Sequence, residues 1–255
     1  MITDTDTAAP PIVDRDTWLR QRAELLDREK AHTREGDAIA AARRRLPMTE
    51  VAPISLDGAD GPTPLIDIFE GRDQLMVYQH MFYPGEPIDR QCEGCTLFTW
   101  GLQDATYLNT RGISFAVFGD GPYEELARLR EFMGHPYAWY SNAGIDDPAL
   151  SSGGSGHLAC YLRRGDRVFL TWDTTDRGVE VMSSSLQLID LTVYGRQEVW
   201  EDSPDGWPQG PTGAFWRTDH DGTLTGWGQG GERVGRPAAQ WSRLAAAPPS
   251  THGCH

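Results

Sequence analysis

The chain has 255 residues, 39% of them hydrophobic, and a formal charge of −14. This length holds one large domain or two small ones, and the acidity argues against a nucleic-acid or anionic-membrane surface. No run of about 18 apolar residues occurs, so no membrane span is expected. Residues 1–11 contain neither a basic nor an apolar region, so no secretory signal is expected and the cytoplasm is the default compartment. Four cysteines, at 92, 95, 160 and 254, are too few and too irregularly spaced for a secreted disulfide scaffold.

In chain order, residues 1–13 read as a loose arm. Asp14 or Asp16 can cap a helix that ends before Pro47. On it Trp18, Leu25, Ile39 and Leu46 recur in steps of seven, with His32 filling the gap as a half-buried packing residue. Gly36 interrupts the stripe and Asp37 can cap a second segment. A long helix or a helix pair is expected, packed along the body or against a second copy of the chain. Residues 47–64, rich in Pro and Gly, read as a linker. Leu65 to Phe69 is expected to be a short helical turn, and residues 75–80 a strand. A loop from Met81 to Gln91 follows. From Thr96 to Leu108, the residues Leu97, Gly101, Ala105 and Leu108 share one face of a helix.

Residues 112–118 are a nearly continuous apolar run, suited to a strand buried on both faces. Pro122 opens a helix through Met133. Strand–helix–strand–helix order implies parallel pairing through right-handed crossovers. Tyr137 to Tyr140 reads as a short strand and residues 146–156 as a Gly/Ser/Pro loop. Residues 158–162 and 168–172 read as an antiparallel hairpin. Residues 178–191 read as a final helix, weakened at Ser183-Ser184-Ser185. Beyond 201, Trp207, Phe215, Trp216, Trp227 and Trp241 can anchor a Gly/Pro-rich extension to the body.

The most informative motif is Cys92-Glu93-Gly94-Cys95, lying after a strand and opening a helix. Two thiols at this spacing can close into a disulfide, share a metal or exchange disulfides. A helix amino terminus presents unsatisfied N–H groups and partial positive charge, which favour the Cys92 thiolate. Beside a strand–helix pattern the motif reads as thioredoxin-like. Cys92 is the candidate attacking thiol and Cys95, one turn in, the resolving thiol. Glu93 is expected to oppose the Cys92 thiolate.

The segment from Leu75 to Asn142, the opening helix with Arg28-Glu29-Lys30 and Arg43-Arg44-Arg45-Leu46-Pro47, and Leu188-Ile189-Asp190-Leu191-Thr192 carry a resemblance. Across about residues 14–200 the chain resembles a bacterial thioredoxin-like family catalogued as domain of unknown function 899. The resemblance implies a thioredoxin-like sheet with an added helical arm, and little about chemistry. The chain departs from the family pattern at Glu93, Gly94 and His135.

Three functions are compatible with these residues. The first is redox chemistry by Cys92 and Cys95 on a thiol, disulfide or small-molecule substrate, without a cofactor. In the second, His157 occupies the place just before the hairpin where a thioredoxin-type proline faces the thiols. Two thiolates and an imidazole suit copper, or less well zinc, with His135 and His80 as weaker ligands. Such a site would make the protein a copper-binding oxidoreductase. In the third, the thiols are idle and the protein is a binding or scaffold module. Cys160 reads as a buried small residue and the Cys254 tail as frayed. The expected architecture is α/β: a thioredoxin-like mixed sheet flanked by helices at 65–200, preceded by an N-terminal helical arm and linker at 1–64. A Trp/Gly-rich extension spans 201–255, and the helical stripe suggests a homodimer.

Overall fold

A computed structural model of the protein describes residues 8–151, 156–210, 212, 217–218 and 236–237. Asp14 caps the first helix, α1 (Arg15–Arg43), by accepting the Thr17 N–H at 2.8 Å. The helix runs unbroken through Gly36, whose missing side chain faces open space. It buries no residue fully, and near its end the Arg43 guanidinium lies over the Trp172 ring at 5.0 Å. Its apolar stripe stays in water, with Trp18, Leu25 and Ile39 at 43%, 47% and 43% exposure, and His32 is exposed as well.

The stretch expected to be a linker is instead sheet. It holds β1 (Thr49–Val51), β2 (Ser55–Gly58) and β3 (Gly61–Pro64). Gly61, at φ 94°, turns the β2–β3 hairpin. Pro62 and Pro64 are tolerated because β3 is an edge strand with no ladder to feed on its outer side. β4 (Gln74–His80) leads through the Cys92–Cys95 segment into α2 (Glu93–Gly101). The helix expected to reach Leu108 breaks at 102–105, where Asp104 accepts the Thr106 N–H at 2.8 Å and starts α3 (Thr106–Asn109). A methyl group on Gly101 would lie 1.9 Å from the Met182 carbonyl oxygen. Gly101→Ala is therefore expected to destabilise the protein by about 1–3 kcal/mol, read from the urea midpoint.

β5 (Ile113–Gly119), α4 (Tyr123–Met133) and β6 (Ala138–Ser141) follow, then the hairpin of β7 (His157–Arg164) and β8 (Arg167–Thr175). The last expected helix splits into a 3-10 segment, Asp176–Met182, and α5 (Ser184–Ile189). Ser183 leaves the helical path to cap α5, its hydroxyl accepting the Leu186 N–H at 3.4 Å. Trp207 anchors the extension edge-on against Tyr194, with ring centroids 5.4 Å apart. β9 (Arg217–Thr218) pairs with β10 (Arg236–Pro237). Phe215, Trp216, Trp227, Trp241 and Cys254 lie outside the described residues. Among the described residues no helix is long and apolar enough to cross a membrane.

The main sheet has the order β1-β8-β7-β4-β5-β6-β2-β3. β4, β5 and β6 are parallel neighbours, and the β7–β8 hairpin lies antiparallel on the other side of β4. This is a thioredoxin-like mixed sheet, with the cysteine pair just past the carboxyl end of β4. Side-chain alternation sorts the core onto two faces. Tyr78, Phe115, Val117 and Leu158 point to one face and meet Phe98 of α2, Leu126 and Leu129 of α4, and Leu186 of α5. Leu75, Val77, Ala116, Phe118, Ala159 and Tyr161 point to the other.

One connection fixes the sheet's shape. β1 and β2 lie six steps apart in the strand order yet are joined by residues 52–54 alone. A flat sheet would separate them by about 29 Å at ~4.8 Å per step. The link from Val51 to Ser55 reaches about 14 Å at most. The sheet therefore curls until its two rims approach. The second core fills the inside of the curl, since it gathers Val51 and Leu56 from the two rims around Phe69 and Leu150. Helices α2, α4 and α5 cover the outside.

Candidate active site

The Cys92–Cys95 turn follows β4 and starts α2. Cys92 is the N-cap of α2, and its Sγ accepts the Cys95 N–H at 3.5 Å. Cys95 sits one turn in, where its Sγ accepts the Met81 N–H at 3.3 Å. The two are thiols, 8% and 2% exposed. Burial pushes the Cys95 thiol well above its ordinary range, and its contact with Cys92 pushes the same way. The Tyr78 hydroxyl and the Met81 N–H pull it down but do not outweigh burial. Tyr78 is itself held protonated, chiefly by burial and then by the neighbouring thiol.

His157 does not face the thiols, which corrects the sequence expectation. It pairs with Gln79 on β4 and lies in step with Ala159 and Tyr161, on the inside of the curl. There its Nε2 meets Asp173 Oδ2 at 3.0 Å. The residue aimed at the thiols is the one before it. A methyl group on Gly156 would lie 2.7 Å from the Tyr78 hydroxyl and 3.2 Å from Cys95 Sγ.

His80 and His135 do lie on the outer face, but both are occupied in packing. The His80 ring is 5.5 Å from Trp139, and His135 stacks on Tyr137 and Trp139 at 4.7 and 5.8 Å. The Met81 carbonyl can only accept, so His80 Nδ1 carries the proton that bridges to it at 3.0 Å. Burial lowers the His80 pKa to about 3, with nearby His135 adding to the effect. The Cys92, Cys95 and His157 trio is therefore not assembled. Among the described residues no group of three or more His, Cys, Asp or Glu is placed to hold a metal ion. Cys160 is half-buried, its thiol pushed up to about 11 by burial, in keeping with a packing role.

Three features of the site escaped sequence reasoning. The first is the partner of Glu93. Its carboxylate forms a buried ion pair with Arg217, the two side chains being 2% and 1% exposed. Arg217 also donates to the Asp89 carbonyl at 3.4 Å, 128 residues away in sequence. The charge expected to oppose the Cys92 thiolate is thus neutralised from the C-terminal extension. The second is Gly156, which in the sequence reads only as the end of the 146–156 loop. The third is the wall supplied by residues 176–200. Arg196, only 6% exposed at its side chain, joins Glu180 at 2.9 Å and Asp190 at 2.7 Å. Arg177 lies over the Trp200 ring at 4.3 Å. With Val179 and Leu186 this segment lines a cavity of about 410 Å³ whose other walls include both cysteines, Tyr78 and Phe98.

A family model described as "Bacterial protein of unknown function (DUF899)" matches residues 7–221. No curated protein matches the chain. Several solved structures are similar to it. Peroxidoxin BcpB from Mycobacterium tuberculosis is 16% identical over 56% of this chain and 97% of that one, with a TM-score of 0.40. Peroxiredoxin Q from Xanthomonas campestris is 10% identical over 53% and 90%, with a TM-score of 0.38. A thiol:disulfide interchange protein from Bacteroides sp. is 13% identical over 59% and 92%, with a TM-score of 0.39.

Proposed function

We propose that this chain, which belongs to the bacterial family of unknown function DUF899, is a thiol redox protein that cycles Cys92 and Cys95 between dithiol and disulfide. The observation that carries the reading is the placement of both sulfurs in one cavity, each accepting a backbone N–H. Cys92, at the mouth of α2, is the attacking sulfur because helix N–H groups and the local dipole favour negative charge there. Cys95 waits as the protonated thiol, since burial holds its pKa up. Attack by Cys92 on an oxidised substrate leaves a bond between Cys92 and that substrate. Cys95 then loses its proton, attacks Cys92 Sγ and expels the reduced product. Glu93, paired with Arg217, no longer stands against this chemistry.

The test uses two variants. Cys92→Ser is expected to abolish oxidation of the pair by a small disulfide. Cys95→Ser is expected to accumulate a mixed disulfide on Cys92, visible as a mass increment on the intact protein. Equal reactivity of the two variants, or full activity without Cys92, would overturn the assignment of roles.

A further inference from the structure

We infer that the oxidised substrate of the Cys92–Cys95 pair is a small, uncharged, largely apolar disulfide rather than a protein or an anionic one; this rests on the dithiol reading above. The first argument is access. Cys92 is 8% exposed and Cys95 2%, in a cavity lined in part by residues 176–200. A protein disulfide has to bring its own backbone against the attacking sulfur, and a sulfur this little exposed leaves that backbone little room. The space beside the thiols is about 410 Å³, the scale of a pocket that encloses a small molecule. Gly156 keeps it open at its floor, where any side chain would press on Tyr78 and Cys95.

The second argument is charge. Three carboxylates, Asp176, Glu180 and Glu198, line the cavity against two guanidiniums, Arg177 and Arg196. Both guanidiniums are already held by carboxylates. Arg196 bonds Glu180 and Asp190, and Arg177 bonds Glu180 at 3.2 Å. Among the described lining residues carboxylates outnumber guanidiniums, and each guanidinium already has a carboxylate partner, which disfavours an anionic substrate. Around the sulfurs the walls are Met81, Phe98, Val179 and Leu186, which reward apolar surface.

The step balances without a further reagent. The Cys92 thiolate attacks one sulfur of the substrate disulfide, and the first half leaves as thiolate. Cys95, after losing its proton, attacks Cys92 Sγ and expels the second half. Two electrons pass from the protein dithiol to the substrate, the dithiol gives up two protons to solvent (one from Cys92 in forming its thiolate and one from Cys95), and a Cys92–Cys95 disulfide remains.

The test compares three oxidants on the full-length reduced chain: 4,4′-dipyridyl disulfide, which is uncharged near neutral pH; the dianionic 5,5′-dithiobis(2-nitrobenzoate); and insulin. The readout is the rate of appearance of the Cys92–Cys95 disulfide in peptide mass maps, which ignores Cys160 and Cys254. Each small-disulfide rate is divided by that of 2-mercaptoethanol with the same reagent. The uncharged reagent is expected to be favoured by about tenfold or more, the scale of electrostatic bias on encounter, and insulin is expected to remain oxidised. Equal normalised rates, or reduction of insulin, would overturn the inference and leave the dithiol reading standing. Failure of all three to form the Cys92–Cys95 disulfide would sink both.

Discussion

Arg217→Met is expected to destabilise the protein by about 3–5 kcal/mol, the usual effect of leaving one partner of a buried ion pair alone. The Glu93 carboxylate is 2% exposed, so water cannot replace the lost guanidinium. The loss should shrink at lower pH, because an unpaired buried carboxylate takes up a proton instead of remaining charged. Combining Arg217→Met with Glu93→Leu removes both charges and should recover most of the stability, since a well-packed apolar pair is often neutral or better. Urea denaturation of the three variants measures this directly. A single-variant loss under about 1 kcal/mol, the range of a solvated surface pair, would show that the pair is not sealed from water. The single variant has a second expected effect. With Glu93 uncompensated beside Cys92, iodoacetamide alkylation of Cys92 should slow, as a neighbouring carboxylate disfavours the thiolate.

Acidification is expected to weaken the fold through His80. Its folded pKa is about 3 against 6.5 for an ordinary histidine. Between these values the unfolded chain binds a proton that the folded chain refuses. The contribution to stability is complete above pH 6.5 and is lost progressively as pH falls toward 3. By linkage, the loss on going from pH 7.5 to 5 is about 2 kcal/mol. The physical cause is the sealed environment: the ring is wedged against Trp139, its Nδ1 committed to the Met81 carbonyl. A positive charge on the ring would also be disfavoured by His135. His80→Phe keeps an aromatic ring and removes the titration, so its stability should change less over the same interval by about the same 2 kcal/mol. Parallel acid sensitivity of the variant and the parent chain would assign the effect to other groups.

The strands near the middle of the sheet were legible because their signal is local. Residues 75–80 and 113–118 and the 157–175 hairpin announce themselves by apolar runs and a turn. Of the short strands at 49–64, β1 and β2 were hidden because partners that make them strands are distant: β1 pairs with β8, and β2 with β6. Pro and Gly there mark sheet rims and a hairpin, and in isolation they look the same as a linker. The helices after Cys95 and at 183 are broken by local caps, Asp104 on Thr106 and Ser183 on Leu186, and the close approach of Gly101 to Met182 is one that no periodicity encodes.

At the site, the cysteine pair was found because its spacing carries its chemistry. His157 was misplaced by one residue, and on a strand one residue is the difference between two faces. Arg217 could not be found from a motif. The clue was Glu93 itself, a carboxylate inside a cysteine turn, which needs a cation brought from elsewhere once it is buried.

The curl imposed by residues 52–54 has a bearing on how the molecule behaves in a crowded solution. Of the two rims of the main sheet, β1 is three residues long, and β3 carries Pro62 and Pro64, which offer no N–H. A foreign strand seeking to extend the ladder finds little to grip at either side. A brief strand on one rim and prolines on the other thus guard the curled sheet against edge-to-edge aggregation.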